Sequence, residues 1–225
     1  VYSGVSTWFA AFKDDELVGT VLLYDGLSIP SLFSTGDSEV LARIIDFAYP
    51  QLPSRMFFHV ADKNAELFFG RFTVDGLHTK MRLVVDSDSF VKRVFPDKVV
   101  SLGHRDVGDL KELYRYYPDN FFDPYQLGNG HYHGIRDGKK LVAVAGAHLV
   151  NKSDDIAAIG NVLTHPDYRG RGLGAAVTGT LLEQIFKVVS RASLDVQASA
   201  GPTIELFKYL GFKEHSRHLE GYISK

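Results

Sequence analysis

Cysteine is absent from the 225 residues. That excludes a disulfide frame, a thiolate metal site and a cysteine nucleophile. An excess of one charge is also lacking. Lys and Arg total 25 against 27 Asp and Glu, for a formal charge of −2, and the basic residues are spread along the chain. No electrostatic footprint for nucleic acid follows from such a balance. Long apolar runs are missing as well. None approaches the roughly 20 residues of a membrane span, and no signal-peptide pattern opens the chain. The default expectation is a cytoplasmic protein with no membrane and no nucleic-acid partner. What remains is a chain that is 45% apolar, enough to bury a core and to exclude general disorder. Its length suits one large domain or two small ones.

The most informative stretch runs from Asn161 to Gly174, Asn-Val-Leu-Thr-His-Pro-Asp-Tyr-Arg-Gly-Arg-Gly-Leu-Gly. Before it, Ile156-Ala157-Ala158-Ile159 reads as a strand. After it, Leu173, Val177, Leu181 and Ile185 recur every four residues, with Leu182 and Phe186 beside them, as the buried face of a helix. The order is strand, glycine-rich turn with two arginines, helix. Glycines let a backbone aim its N–H groups at one point. The first N–H groups of a helix lack internal partners and sit at its positive end. Such a turn suits a pyrophosphate, and Arg169 and Arg171 add charge-assisted donors.

Along the chain, strands are predicted at 8–12, 17–24, 27–33, 56–60 and 77–85. A helix capped by Asp37 or Ser38 carries Val40, Leu41, Ile44, Ile45 and Ala48 and is stopped by Pro50, and a second begins at Ala65. The polar run Asp86 to Ser89 places a boundary near residue 92, giving domains 1–92 and 93–225. The second round has a strand at 99–102, a helix over 104–117 and a short aromatic helix or loop over 119–126. A hairpin around Asp137-Gly138 follows, then the stretch above, a strand at 192–198, a helix over 203–210 and a closing strand at 218–224. The two rounds look like one plan repeated: Leu17-Val18 answers Leu141-Val142, and Glu66-Leu67-Phe68 answers Glu205-Leu206-Phe207. Ser34-Thr35-Gly36-Asp37 stands where the Arg/Gly turn would be in the first round.

Three phosphate-binding templates compete for the turn. The P-loop fails because no Gly-Lys-Ser/Thr closes it. Gly170, Gly172 and Ala175 fit G-x-G-x-x-A, but that fingerprint belongs near the start of a nucleotide-binding domain, and the acidic candidate Asp195 lies inside an apolar run. The third template, Arg/Gln-x-x-Gly-x-Gly/Ala, is matched by Arg169, Gly172 and Gly174. With the preceding Thr164-His165-Pro166-Asp167-Tyr168, the stretch resembles the GNAT superfamily of acyl-CoA N-acyltransferases. An N-terminal degenerate copy beside an active C-terminal copy is similar to tandem members, glycine N-acyltransferase-like and mycothiol-synthase-like enzymes among them.

The resemblance implies an α/β (α+β) fold of tandem GNAT-like domains. Each would be a mixed, mainly antiparallel sheet flanked by helices, and in the C-terminal copy the fourth and fifth strands would splay apart to receive acetyl-CoA. It implies a pyrophosphate on Arg169, Gly170, Arg171, Gly172, Leu173, Gly174 and Ala175, a pantetheine arm paired with Val162, Leu163 and Thr164 as an added strand, and Phe207 near the thioester. It also implies acetyl transfer to the primary amine of a small molecule or peptide, without a metal. Two departures stand out. The family's frequent thiolate-protonating tyrosine falls on Phe207, which has no proton to give. Its frequent base, a glutamate on the fourth strand, has no counterpart among Ala157 to Asn161. His148 is the candidate base and Tyr209 the candidate acid; packing on a sheet face and packing in the core are the respective alternatives. His131 and His133 share a strand face and suit an acceptor site or a metal pair, but no third ligand is suitably spaced. His165, Asp154 and Asp155 read as exposed. Tyr114, Tyr116, Tyr117, Phe121, Phe122 and Tyr125 suit an acceptor pocket or a core. A CoA-binding module without turnover and a nicotinamide-dependent oxidoreductase remain as rival functions.

Overall fold

The computed structural model describes residues 3–118, 120 and 122–225. In chain order its elements are β1 (Ser6–Lys13), β2 (Glu16–Tyr24), β3 (Ser31–Gly36), α1 (Ser38–Ala48), β4 (Arg55–Ala61), α2 (Glu66–Phe69) and β5 (Thr73–Asp86). There follow β6 (Val99–Ser101), α3 (Val107–Tyr114), β7 (Tyr132–Asp137), β8 (Lys140–Asn151), β9 (Ile156–Thr164), α4 (Leu173–Ile185), β10 (Arg191–Gln197), α5 (Gly201–Tyr209) and β11 (Lys213–Ser224). The chain divides into two compact units. The first comprises Val1–Met81, Gln197–Ser199 and Ser216–Lys225, and the second Arg82–Val196 and Ala200–His215. Among the described residues no helix is long and apolar enough to cross a membrane.

In the first unit the strand order is β1-β2-β3-β4-β11-β5. β3 runs parallel to β4, while β1–β2, β2–β3 and β4–β11 are antiparallel. Leu41, Ile44, Ile45 and Ala48 are buried on α1, the one-face spacing of an amphipathic helix. They meet Val21, Leu32, Met56, Phe58 and Val60 from alternate positions of the strands. Asp37 precedes α1 with extended backbone but makes no side-chain cap; its carboxylate pairs with Lys63 at 3.1 Å.

In the second unit the order is β5-β10-β9-β8-β7-β6. The ladders β6–β7, β7–β8 and β8–β9 are antiparallel and β9–β10 is parallel. Leu110, Leu113 and Tyr114 of α3 cover Tyr132, Leu141, Val144 and Leu163. α4 is buried along almost its whole first half, Leu173 to Gly179, which requires apolar and small residues on every side. Its one polar side chain there, Thr178, donates back to the Gly174 carbonyl at 2.8 Å.

The strands thus form a mixed, mainly antiparallel sheet flanked by helices, as the resemblance implies, and β9 parts from β10. β9 and β10 pair over Ile156–Ala158 and Arg191–Ser193 only. Several sequence expectations change in detail: the third strand is Ser31–Gly36 and not 27–33, and α3 ends at Tyr114 and not at 117. β9 extends past Ile159 to Thr164, because Gly160 and Asn161 are carried in a bulge instead of ending the strand. The segment expected over 119–126 becomes a 3₁₀ helix at Pro124–Asn129, started by Pro124 and capped by the Asp123 side chain. Asp119 and Phe121 lie outside the described residues.

Candidate active site

The turn that follows β9 is built by its glycines. Gly170 and Gly172 have φ of +74° and +79°, a left-handed backbone that costs other L-residues about 1–2 kcal/mol. Gly172 is the N-cap of α4. The helix's first internal bond runs from Ala176 N–H to the Gly172 carbonyl at 3.0 Å. The N–H groups of Leu173, Gly174 and Ala175 therefore point out of the helix end without a partner inside it. The turn is exposed on residues 169–172. Its arginines fold onto tyrosines: Arg169 Nη2 donates to Tyr117 Oη at 2.9 Å, with the guanidinium over that ring, and Arg171 lies 4.9 Å over the Tyr168 ring. Tyr117 Oη in turn donates to the Thr164 carbonyl, tying the turn to the end of β9.

Beyond Ala158, β9 has no partner on its β10 side. A cleft of about 290 Å³ opens there, lined among others by His148, Gly160, Asn161, Ser193 and the Arg82–Asp195 pair. That pair is bidentate, at 2.9 and 2.8 Å. Val162, Leu163 and Thr164 lie on the unpartnered stretch, between the cleft and the turn. α5 closes on the same region: a side chain at Gly174 would meet Leu206 Cδ1 at 3.0 Å and Thr164 Oγ1 at 3.5 Å. Leu206, noticed in the sequence only in the repeat, is thus the α5 residue against the start of α4, while Phe207 is buried and packs edge-on to Phe212 at 5.5 Å. Tyr209 is half exposed and carries the Arg93 guanidinium 4.3 Å over its ring.

Two bulges shape the cleft wall. Ala147 pairs with Ile159 and Leu149 with Ala158, so His148 is the extra residue of β8. Val144 pairs with Leu163 and Gly146 with Gly160, so β9 carries an extra residue beside Asn161, whose φ is +53°. Bulges re-aim side chains in this way. The His148 ring projects over Gly160, where a Cβ would collide with Nε2. Behind the ring lies a buried polar network that the sequence did not disclose. Gln126 Nε2 lies 3.1 Å from His148 Nδ1. Gln126 Oε1 accepts from Tyr132 Oη at 3.0 Å and from Asn161 Nδ2 at 3.2 Å, and Asn161 Nδ2 also donates to Tyr132 Oη at 2.7 Å. Burial pushes the Tyr132 phenol up to about 12, so it stays a neutral donor. Desolvation lowers the pKa of His148, although the residue as a whole is exposed.

The remaining candidates disperse. Tyr114 stacks on Phe122 at 4.8 Å in the α3 core, Tyr116 and Tyr117 reach the glycine turn, and Tyr125 is exposed. His165 is not exposed as expected: it is 3% accessible, held edge-on by Tyr116 at 4.4 Å, and its Nδ1 accepts from the Asp167 N–H at 3.3 Å. Asp155, exposed as expected, accepts from both the backbone and the hydroxyl of Ser190. His133 is buried, and His131 is partly so. In the first unit, His59, His218 and Glu220 place three donor atoms within 4.8 Å of one another. Both imidazoles approach the same Glu220 oxygen, at 3.2 and 3.5 Å. Their rings are stacked at 3.9 Å and 22°, and Lys80 sits 3.5 Å from the other oxygen. Burial alone would raise Glu220; the bonds from His218 and His59 and the Lys80 charge outweigh it and hold the carboxyl well below the usual range. The cluster sets one carboxylate against Lys80 and two imidazoles.

Residues 102–212 match the family model of the acetyltransferase (GNAT) family. Among curated proteins none matches in sequence. Solved structures share the fold. A GNAT-family protein from Novosphingobium aromaticivorans is 20% identical, with a TM-score of 0.65 over 96% of this chain and 91% of that one. A GCN5-related N-acetyltransferase from Kribbella flavida is 15% identical, with a TM-score of 0.69 over 92% and 86%. A tandem GNAT protein from the clavulanic acid biosynthesis pathway is 12% identical, with a TM-score of 0.64 over 98% and 83%.

Proposed function

With residues 102–212 matching the GNAT model and the fold that of GNAT structures, we propose that the second unit is an acyl-CoA-dependent N-acyltransferase that moves the acetyl group of acetyl-CoA to a primary amine. The observation that carries this reading is the course of β9 beyond its last pair with β10 at Ala158. It runs from the His148 cleft through Val162, Leu163 and Thr164, a stretch that pairs with β8 but not with β10, to the turn whose N–H groups open at the start of α4. Phosphates suit the helix end, an amide-bearing arm suits the strand edge, and a thioester then reaches the cleft. Among the described residues, Arg169 and Arg171 contact tyrosines and backbone, which they can exchange for phosphate oxygens. Arg169→Ala with Arg171→Ala is expected to weaken acetyl-CoA about 10- to 100-fold, two charge-assisted bonds being partly replaced by water. A calorimetric titration checks this, and an unchanged Kd places the phosphates elsewhere.

The first unit is proposed as a degenerate copy, with the ancestral boundary near residue 92, although residues 197–199 and 216–225 now pack with it. Its counterpart turn carries no arginine, and Asp37 there engages Lys63. One acetyl-CoA per chain is expected, and two equivalent sites would refute the degeneracy.

One observation favours a second reading, a CoA-binding module without turnover: Phe207 is packed in the core, and Ile156–Thr164 contains no carboxylate. A panel of amino acids, polyamines, aminoglycosides and peptides, with thiol release as readout, separates the two. Thiol release dependent on one amine class supports the enzyme; acetyl-CoA binding without release from any of them supports the module.

A further inference from the structure

We infer that His148 serves the acyl transfer as a neutral hydrogen-bond donor, its Nε2–H directed at the thioester oxygen, and that Gln126 is the positioning residue that fixes this tautomer. The inference rests on the acyltransferase reading. It replaces the base role expected for His148 from its type and strand.

The orientation of the Gln126 amide is set by its own neighbours. Its oxygen accepts from Tyr132 Oη and Asn161 Nδ2, both donors, so its nitrogen is the atom turned to His148 Nδ1. An amide nitrogen only donates. Nδ1 must then be the acceptor, and in a neutral imidazole the proton sits on Nε2. A ring in that tautomer offers the cleft a donor and has no free lone pair there to take a proton from an amine. The network leaves little room for a flip, because Gln126, Tyr132 and Asn161 are 3%, 0% and 7% accessible and a reversed amide would set the Gln126 nitrogen against Asn161 Nδ2, donor against donor. Partial burial disfavours the imidazolium, and the charged groups of the cleft, Arg82 and Asp195, satisfy each other.

Placement agrees with the role. Nε2 lies over Gly160, whose missing Cβ makes room for it, two residues beyond the last β9–β10 pair at Ala158. An arm laid along β9 from the glycine turn runs through Thr164, Leu163 and Val162 toward this point. There the amine nitrogen attacks the carbonyl carbon and the π pair moves to oxygen, which accepts the Nε2–H bond. The pair returns, the C–S bond breaks and CoA leaves as the thiolate. Water takes the nitrogen's proton and solvent protonates the thiolate, while the imidazole keeps its own proton. Preorganised donors of this kind are worth about 100- to 1,000-fold in kcat.

The test has an arm that needs no turnover. In the unloaded protein, ¹⁵N-detected imidazole spectra should show His148 as the Nε2–H tautomer, and in Gln126→Glu, whose carboxylate demands a donor, as Nδ1–H. Finding Nδ1–H in the native protein overturns the inference. In turnover, His148→Ala should lower kcat about 100-fold with the KM for acetyl-CoA little changed. His148→Gln, which keeps a donor but no base, should recover most of that loss, and the acidic limb of the pH–rate profile should be the same in the Gln variant as in the native protein. Gln126→Glu, which would sharpen a base, should instead slow the reaction. A Gln variant as slow as the Ala variant, or a faster Gln126→Glu, would contradict the donor role. No turnover with any amine would remove the acyltransferase reading and this role with it, whatever the tautomer.

Discussion

Replacing Gly172 by glutamate is expected to remove acetyl-CoA binding while the chain still folds. Two effects combine. Gly172 has φ of +79°, so any other residue strains the turn or pulls it out of the left-handed region, at about 1–2 kcal/mol. The second effect is charge. A carboxylate at the N-cap of α4 would satisfy the open N–H groups and repel the phosphates proposed to sit there. Losing one or two charge-assisted hydrogen bonds, at about 1.5–3 kcal/mol each, corresponds to at least about 10-fold in Kd. The fold should tolerate the change, since no atom lies within 4 Å of a Cβ built at this position, and a carboxylate stabilises a helix start. Titration calorimetry with a melting curve on the same sample checks both halves. Unchanged affinity would mean that the helix end is not the phosphate site.

The second large effect concerns stability against pH. Burial, with the neighbouring His131 adding to it, pushes His133 down to about 4, well below the roughly 6.5 of an unfolded chain. Between those values the unfolded chain binds a proton that the folded one refuses. Stability from this group is therefore full above about pH 6.5 and lost as pH falls toward 4, by up to about 3 kcal/mol. His131 is lowered as well, by burial and by Lys152, and adds in the same direction. His133→Leu, close in volume and without a titrating ring, should flatten the urea-denaturation stability curve between pH 6.5 and 4.5 relative to the native chain. Parallel curves would show that the ring is hydrated and titrates normally.

What the sequence disclosed and what it did not divide along physical lines. The glycine turn was legible because its requirements are local: positive φ at two positions, a helix start immediately after, and two arginines beside it. α1 was legible for the same reason, its apolar spacing and its stop at Pro50 lying within one segment. The splay of β9 from β10 came through resemblance, since nothing in Leu194-Asp195-Val196 states that pairing stops at Ser193. His148 was noticed as a histidine on a strand, but its role depends on Gln126, Tyr132 and Asn161, three residues brought together from separate elements. Asn161 at positive φ was the one local clue, because asparagine tolerates that conformation where β-branched neighbours do not. His165 was misplaced because a histidine before a proline in a turn suggests solvent, whereas Tyr116 and Tyr168 close over it from either side.

The end of α4 and the edge of β9 beyond Ala158 are proposed to form one acyl-CoA site. The most direct measurement is a calorimetric titration of the native chain with acetyl-CoA, run beside NAD and accompanied by melting curves. Saturable acetyl-CoA binding at one site per chain is expected, with a melting temperature that rises with ligand concentration and does not respond to NAD. Stabilisation by NAD with none by any CoA species would contradict it.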